Sequence, residues 1–166
     1  MNQFSLFIYS LFLAIFLPTL LSGGYLLFFA PSIILSFYRY PLPICLWWAI
    51  ICGFIIDLYS SQTRLGVYAI NYCLVSLCLY RYKFHFFEDY LSTLPIMTFC
   101  FVILSTFFQL MFFYVIGNSI HISFDWIINN FIFTPFLNAS YAILAFTIPS
   151  LIIPYINRNA RLRKRN

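Results

Sequence analysis

Apolar residues along this chain come in long runs separated by short polar connections. A helix that crosses a membrane needs about 20 predominantly apolar residues, and the runs predict six such helices, of which the first two are short. The predicted spans are residues 4–21, 25–38, 44–59, 66–80, 92–116 and 130–153. Pro31 falls inside the second span, where we expect it to kink the helix or open it locally. Residues 117–129 alternate apolar and polar positions, which predicts an extended or interfacial segment.

Composition excludes a soluble globular domain. The 166 residues are 63% hydrophobic and 8% charged, with a mean hydropathy of +0.92, and this leaves too little polar surface to face water. We therefore predict an all-α, polytopic integral membrane bundle of about six transmembrane helices. Residues 1–156 are expected to form a single transmembrane domain, and residues 157–166 a basic cytoplasmic tail.

Basic residues are concentrated at the carboxyl end. Five of the nine lie in the last nine positions: Arg158, Arg161, Arg163, Lys164 and Arg165. If both termini are cytoplasmic, Arg39, Arg81 and Lys83 join them inside and only Arg64 lies outside, which fits the positive-inside rule. The tail is therefore predicted to set the topology and to contact anionic lipid. No groove-reading motif accompanies it, so nucleic acid is not an expected partner.

The residue pattern favours a protein that is not an enzyme and holds no cofactor. No Ser-Lys, Asp-Asp or His-based set stands at usable spacing within the predicted spans. The five cysteines lie inside apolar runs without a Cys-x-x-Cys pair, so we expect neither a disulfide nor a metal. They are Cys45, Cys52, Cys73, Cys78 and Cys100.

Asp57 is the acid that lies inside a predicted span. An ionised carboxylate at the centre of a bilayer costs about 2.5–3.5 kcal/mol, so this side chain is expected to face protein or water. Its spacing to Arg64 permits an ion pair across the turn between the third and fourth spans, which would neutralise the acid and hold Gly66 where the chain re-enters. We predict such a structural clasp and not a proton relay, because no intramembrane His, Lys or second acid is available to pass a proton on.

Small residues line one face of each span beside that turn. The face of the third span comprises Ala49, Gly53, Asp57 and Ser60, and the face of the fourth comprises Gly66, Ala69, Cys73 and Ser76. Helices approach closely where side chains are small. These two faces therefore predict a tightly packed antiparallel hairpin.

Three amide side chains lie deep in apolar runs, at Asn71, Gln109 and Asn138. At about 1.5 Å per residue, the predicted topology places them with Asp57 in the outer half of the bilayer, within roughly 10 Å of its surface. The favoured interpretation of this polar layer is hydrogen bonding that holds the helices together, with about 0.6 kcal/mol for each bond. The functional alternative is a small outward-facing pocket, or a groove for the transmembrane helix of a partner.

One group of residues resembles a known family. Pro31 in the second span, Gly53-Phe54 and Asp57-Leu58 in the third, Ser60 after it and Gly66-Val67 at the start of the fourth are similar to the rod shape-determining protein MreD family. The resemblance implies a helical bundle similar to the substrate-binding subunits of energy-coupling-factor transporters, located in the bacterial cytoplasmic (inner) membrane. It also implies that Gly53, Asp57 and Gly66 are motif positions of structural importance.

Members of that family work with the membrane-anchored protein MreC, the actin-like MreB and the cell-wall elongation synthases. The resemblance therefore implies a non-enzymatic component of the cell-elongation complex. Such a component would bind a single-span partner such as MreC and support the control of lateral peptidoglycan synthesis and cell shape. The alternative is a small-molecule-binding membrane subunit of a vitamin-type transporter.

Overall fold

A computed structural model of the chain describes residues 8–12, 27–59, 65–82, 90–116 and 123–148. Within these ranges the backbone forms helices and turns and contains no strand. The predicted all-α class is confirmed for this part of the chain. The first predicted span is described only at a short helical stretch, residues 8–12, while Ser60, Arg64 and the basic tail lie outside the described residues.

Five longer helices correspond to the second to sixth predicted spans. They are α1 (Ala30–Arg39), α2 (Leu42–Tyr59), α3 (Val67–Tyr82), α4 (Tyr90–Ile116) and α5 (Phe124–Thr147). The ends of α2, α3 and α4 agree with the predicted spans to within two residues.

The last helix begins earlier than predicted. α5 starts at Phe124 instead of Asn130, because the hydroxyl oxygen of Ser123 accepts a hydrogen bond from the Trp126 amide at 3.2 Å and caps the first turn. Of the two alternatives predicted for this segment, the extended one is therefore wrong over residues 124–129, which are helical, while the interfacial one stays a prediction.

α4 and α5 contain the two stretches that are long and apolar enough to cross a membrane. These are Thr93–Val115, with 23 residues, and Phe124–Thr147, with 24. Only 33% and 22% of their most apolar windows are buried inside the protein, whereas the core helix of a soluble protein is mostly buried. By length, composition and exposure, both are candidate membrane spans.

α1 is short and central. Its ten residues extend about 15 Å, roughly half the thickness of the hydrocarbon core of a bilayer, and residues 30–37 are all buried. Pro31 lies in the first turn, where its missing N–H breaks no intrahelical hydrogen bond. Pro31 therefore begins a helix and does not kink one. The hydroxyls of Ser32 and Ser36 donate to backbone carbonyls one turn earlier, at 2.8 and 2.6 Å, so both are satisfied without solvent.

The core lies where α1 meets the other helices. Each helix contributes buried side chains to one hydrophobic cluster, among them Ile33, Phe37, Ala49, Tyr72, Phe101 and Tyr141. Aromatic rings meet edge to face within it, as between Phe37 and Tyr80, whose centroids lie 5.8 Å apart. This arrangement contributes both apolar burial and the favourable edge-to-face geometry.

Candidate functional site at the α2–α3 junction

Asp57, near the end of α2, is 3% exposed and bonds to the beginning of α3. Its Oδ1 accepts a hydrogen bond from the Tyr68 amide and its Oδ2 one from the Ala69 amide, each at 3.1 Å. The first amides of a helix have no acceptor within that helix, and a negative charge is favourable at this end of the helix dipole. Asp57 thus stabilises α3 from the neighbouring helix.

Gly66 explains why the cap comes from another helix. It directly precedes α3, its φ is +97°, and it has no side-chain oxygen with which to cap the helix itself. No atom lies within 4 Å of the position that a Cβ would take, so glycine is required here for its conformation and not for space. Asp57 supplies the acceptors that a Ser, Thr or Asp at this position would normally provide.

Gly53 brings the two helices into backbone contact. A Cβ atom at this position would lie 2.4 Å from the Cα of Ala69, 2.7 Å from its amide nitrogen and 2.8 Å from the carbonyl oxygen of Tyr68. Gly53 and Asp57 are four residues apart and therefore share one face of α2. Both contact the same two residues of α3, which makes the junction a single packed unit.

The predicted packing faces are mostly buried where the structure describes them, and two of their positions, Gly66 and Cys73, are partly exposed. Ala49, Ala69 and Ser76 are buried, but Cys73 is partly exposed and Tyr72 takes the interior place beside it. Positions three and four residues after Ala69 both lie near its face, and the prediction selected the smaller residue. The bulky ring of Tyr72 instead packs edge to face on Phe101 of α4, with centroids 5.4 Å apart.

Sequence reasoning missed the partners of the acid. The predicted ion pair with Arg64 stays a prediction, since Arg64 lies outside the described residues. The observed partners of Asp57 are backbone amides, which every residue type except proline carries. The available signal was positional: an acid at a helix end, followed by a glycine that opens the next helix.

The three amide residues of the predicted polar layer do not bond to one another. Asn71 donates from Nδ2 to the Oγ of Ser105 at 2.8 Å and to its carbonyl oxygen at 3.3 Å, linking α3 to α4. Asn138 accepts at Oδ1 from the Leu27 amide and donates from Nδ2 to the Thr134 carbonyl, both at 2.8 Å. Gln109 is half-buried, and among the described residues no hydrogen bond joins the three to one another.

Asn138 lies well inside the last helix. Because α5 begins at Phe124, Asn138 is 14 residues along it, about 21 Å from the first residue. Its Oδ1 accepts a hydrogen bond from the amide of Leu27, which precedes the short helix α1. Asn138 therefore satisfies a backbone group inside the bundle, and its depth in a bilayer stays a prediction.

The hydrogen bond between Asn71 and Ser105 provides a quantitative prediction. Ser105→Ala is expected to lower the free energy of unfolding by about 0.6 kcal/mol, the average for such bonds within membranes. The same change in an Asn71→Leu background is expected to cost nothing further, since the donor is already gone. Reversible unfolding in mixed micelles measures both values.

Thr106→Ala is the matched control. Its hydroxyl donates to the Val102 carbonyl at 2.9 Å within α4, so its effect should be independent of Asn71. Equal losses from Ser105→Ala with and without Asn71 would contradict the interhelical bond.

Comparison with protein-family models, with curated proteins and with solved structures finds no match for this chain. Among the described residues, no group of three or more His, Cys, Asp or Glu side chains is placed to hold a metal ion. The functional interpretation therefore depends on the residues and their geometry.

Proposed function

We propose that this chain is a non-enzymatic membrane component of the cell-elongation complex, of the MreD type. In that role it binds a single-span membrane protein such as MreC and supports the control of lateral peptidoglycan synthesis and cell shape. MreB and the cell-wall elongation synthases belong to the same assembly.

The observation that carries this proposal is the convergence of three motif residues on one junction. Gly53 allows the backbones of α2 and α3 to touch, Gly66 turns the chain, and Asp57 caps α3. Both oxygens of the carboxylate are occupied by amides, so its chemistry is used for structure. A buried carboxylate that accepts a backbone hydrogen bond at each oxygen serves the packing of the hairpin, which an assembly factor needs, and is not placed for proton transfer.

The outer surface supports a place in a membrane. Large apolar side chains are exposed on several helices, including Trp47 and Leu58 on α2 at 67% and 76%, and Phe136 on α5 at 68%. A surface of this kind is stable against hydrocarbon or against a partner's transmembrane helix. We place the chain in the bacterial cytoplasmic membrane as a multi-pass bundle, with both termini cytoplasmic.

Co-purification tests the proposed partner. The chain is expressed with MreC from the same cell, carries a photo-crosslinking residue at Trp47 or Ile70, and is isolated in a mild detergent. We expect the two proteins to co-elute and to crosslink through the transmembrane helix of MreC. An MreC variant whose transmembrane helix is replaced by an unrelated apolar helix of equal length is the control, and it should not crosslink.

A different outcome would overturn the proposal. If the chain purifies as a stable monomer that does not retain MreC but binds a vitamin-like molecule, the transporter-subunit alternative is correct. Loss of that binding in Asn71→Leu or Asn138→Leu would then locate the ligand among the buried amides.

Labelling of the carboxyl end tests the topology. A cysteine placed at Asn166 in a variant without the five native cysteines is expected to react with a membrane-impermeant maleimide only after the cytoplasmic membrane is opened. The reason is the five basic residues of the tail, which the positive-inside rule keeps in the cytoplasm. Equal labelling before and after the membrane is opened would contradict the proposed orientation.

A further inference from the structure

Two neighbouring residues of α3 bury polar atoms that have no hydrogen-bond partner. Asn71 and Tyr72 are both 0% exposed, and Asn71 Oδ1 and Tyr72 Oη are unpartnered among the described residues. A buried polar atom without a partner costs about 1–3 kcal/mol, so each such atom needs a physical explanation.

A third atom on the same helix, Ser76 Oγ, has a simple explanation. It is also buried and unpartnered, but a change of its χ1 rotamer brings the hydroxyl to the Tyr72 carbonyl, one turn before it. Thr98 and Thr106 make this local bond in α4, at 2.7 and 2.9 Å. Ser76 therefore requires no external partner.

Asn71 and Tyr72 cannot be satisfied in the same way. The amide of Asn71 cannot be flipped, because its Nδ2 donates to a carbonyl oxygen of Ser105 and Oδ1 is unable to do so. The phenol oxygen of Tyr72 is held at the far end of a ring that packs on Phe101, out of reach of the residue's own backbone. Phe101 and Ser105 are one turn apart on α4, so both unpartnered atoms belong to residues at the same α3–α4 contact.

The two atoms are chemically complementary to water. Asn71 Oδ1 only accepts a hydrogen bond, whereas the Tyr72 hydroxyl can donate one. Buried waters commonly satisfy groups that the fold leaves unpaired. We propose that the α3–α4 contact holds an internal water-binding site, in which one water molecule donates to Asn71 Oδ1 and accepts from the Tyr72 hydroxyl.

Tyr72→Phe tests the site by the sign of its effect. The substitution removes the hydroxyl and leaves the ring. If a water is bound, the substitution removes the hydrogen bond that the water accepts from the Tyr72 hydroxyl. The midpoint of thermal unfolding then falls by about 2–4 °C for a loss near 1 kcal/mol. Without a bound water, the substitution removes an unsatisfied hydroxyl from an apolar site and the midpoint stays the same or rises, which would overturn the proposal.

Tyr82→Phe is the control. Tyr82 is 60% exposed at the end of the same helix, so this substitution should leave the midpoint of thermal unfolding unchanged.

Direct observation in the wild-type protein separates a bound water from a general loss of packing. A high-resolution experimental structure is expected to show an ordered water about 2.7–3.2 Å from both atoms. Absence of a water peak in the density between Asn71 Oδ1 and Tyr72 Oη would refute the site, whatever the unfolding midpoint of Tyr72→Phe.

Discussion

Gly53→Ala is expected to destabilise the protein by about 3 kcal/mol, at the upper end of what overpacking costs. The new methyl group would lie 2.4 Å from the Cα of Ala69 and 2.7 Å from its amide nitrogen. Both are backbone atoms, so no side-chain rotation relieves the overlap and α2 must move away from α3. That movement also draws Asp57 away from the amides it caps, and Gly53→Leu is expected to prevent folding altogether.

Thermal unfolding in detergent measures the effect. Cys45 and Cys52 are each 1% exposed, whereas Cys73, Cys78 and Cys100 are partly exposed. In a background where these last three are replaced by alanine, a fluorogenic thiol reagent reports the unfolding of α2. A loss of about 3 kcal/mol is expected to lower the midpoint by roughly 6–12 °C.

Two control substitutions, Phe54→Ala and Gly66→Ala, separate the effect of the close approach between α2 and α3 from other effects. Phe54→Ala changes the next residue, which is 50% exposed, and should have little effect. Gly66→Ala adds the same methyl group in open space at a φ of +97°, so it should cost only the backbone strain, about 1 kcal/mol. Equal stability of Gly53→Ala and Phe54→Ala would show that the two backbones are not in contact.

Asp57→Leu is the second large change, with an expected loss of about 3 kcal/mol. It leaves the amides of Tyr68 and Ala69 without acceptors, and each such bond to a charged group contributes about 1.5–3 kcal/mol. Asp57→Asn should fall between wild type and Asp57→Leu. It keeps one acceptor oxygen but turns an NH2 group toward the second amide, where donor faces donor.

The same thermal assay, combined with retention of the proposed partner MreC, distinguishes a structural role of Asp57 from a direct role in binding. If Asp57 acts as a cap, stability and partner retention fall together in the order wild type, Asp57→Asn, Asp57→Leu. An Asp57→Asn protein that is as stable as wild type but retains no partner would assign the carboxylate a direct role in binding.

The helices were predictable where a long apolar run ends at an obvious polar or proline boundary. The limits of α2, α3 and α4 followed from such runs. The starts of α1 and α5 did not, because α1 begins at the turn that contains Pro31 and α5 begins at the cap formed by Ser123. Pro31 fits a first turn as well as a kink, and the cap at Ser123 is hidden within a stretch that alternates apolar and polar residues.

The site was predictable in its location but not in its bonds. The close approach at Gly53 is a property of small residues at helical spacing, and this is visible in the sequence. The partners of Asp57 and Asn138 are backbone amides of Tyr68, Ala69 and Leu27. Every residue except proline carries such a group, so the pairing depends on how the segments are offset from one another, which side-chain identity does not encode.

The central claim is that the Asp57 carboxylate is used to cap α3. Hydrogen exchange at the amides of Tyr68 and Ala69, compared between wild type and Asp57→Asn under native conditions, tests it most directly. We expect both amides to be protected in the wild-type protein and at least one to exchange much faster in the variant, while exchange at the mid-helix amide of Val75 does not change. Rapid exchange of both amides in the wild type, or the same rates in the two proteins, would contradict it.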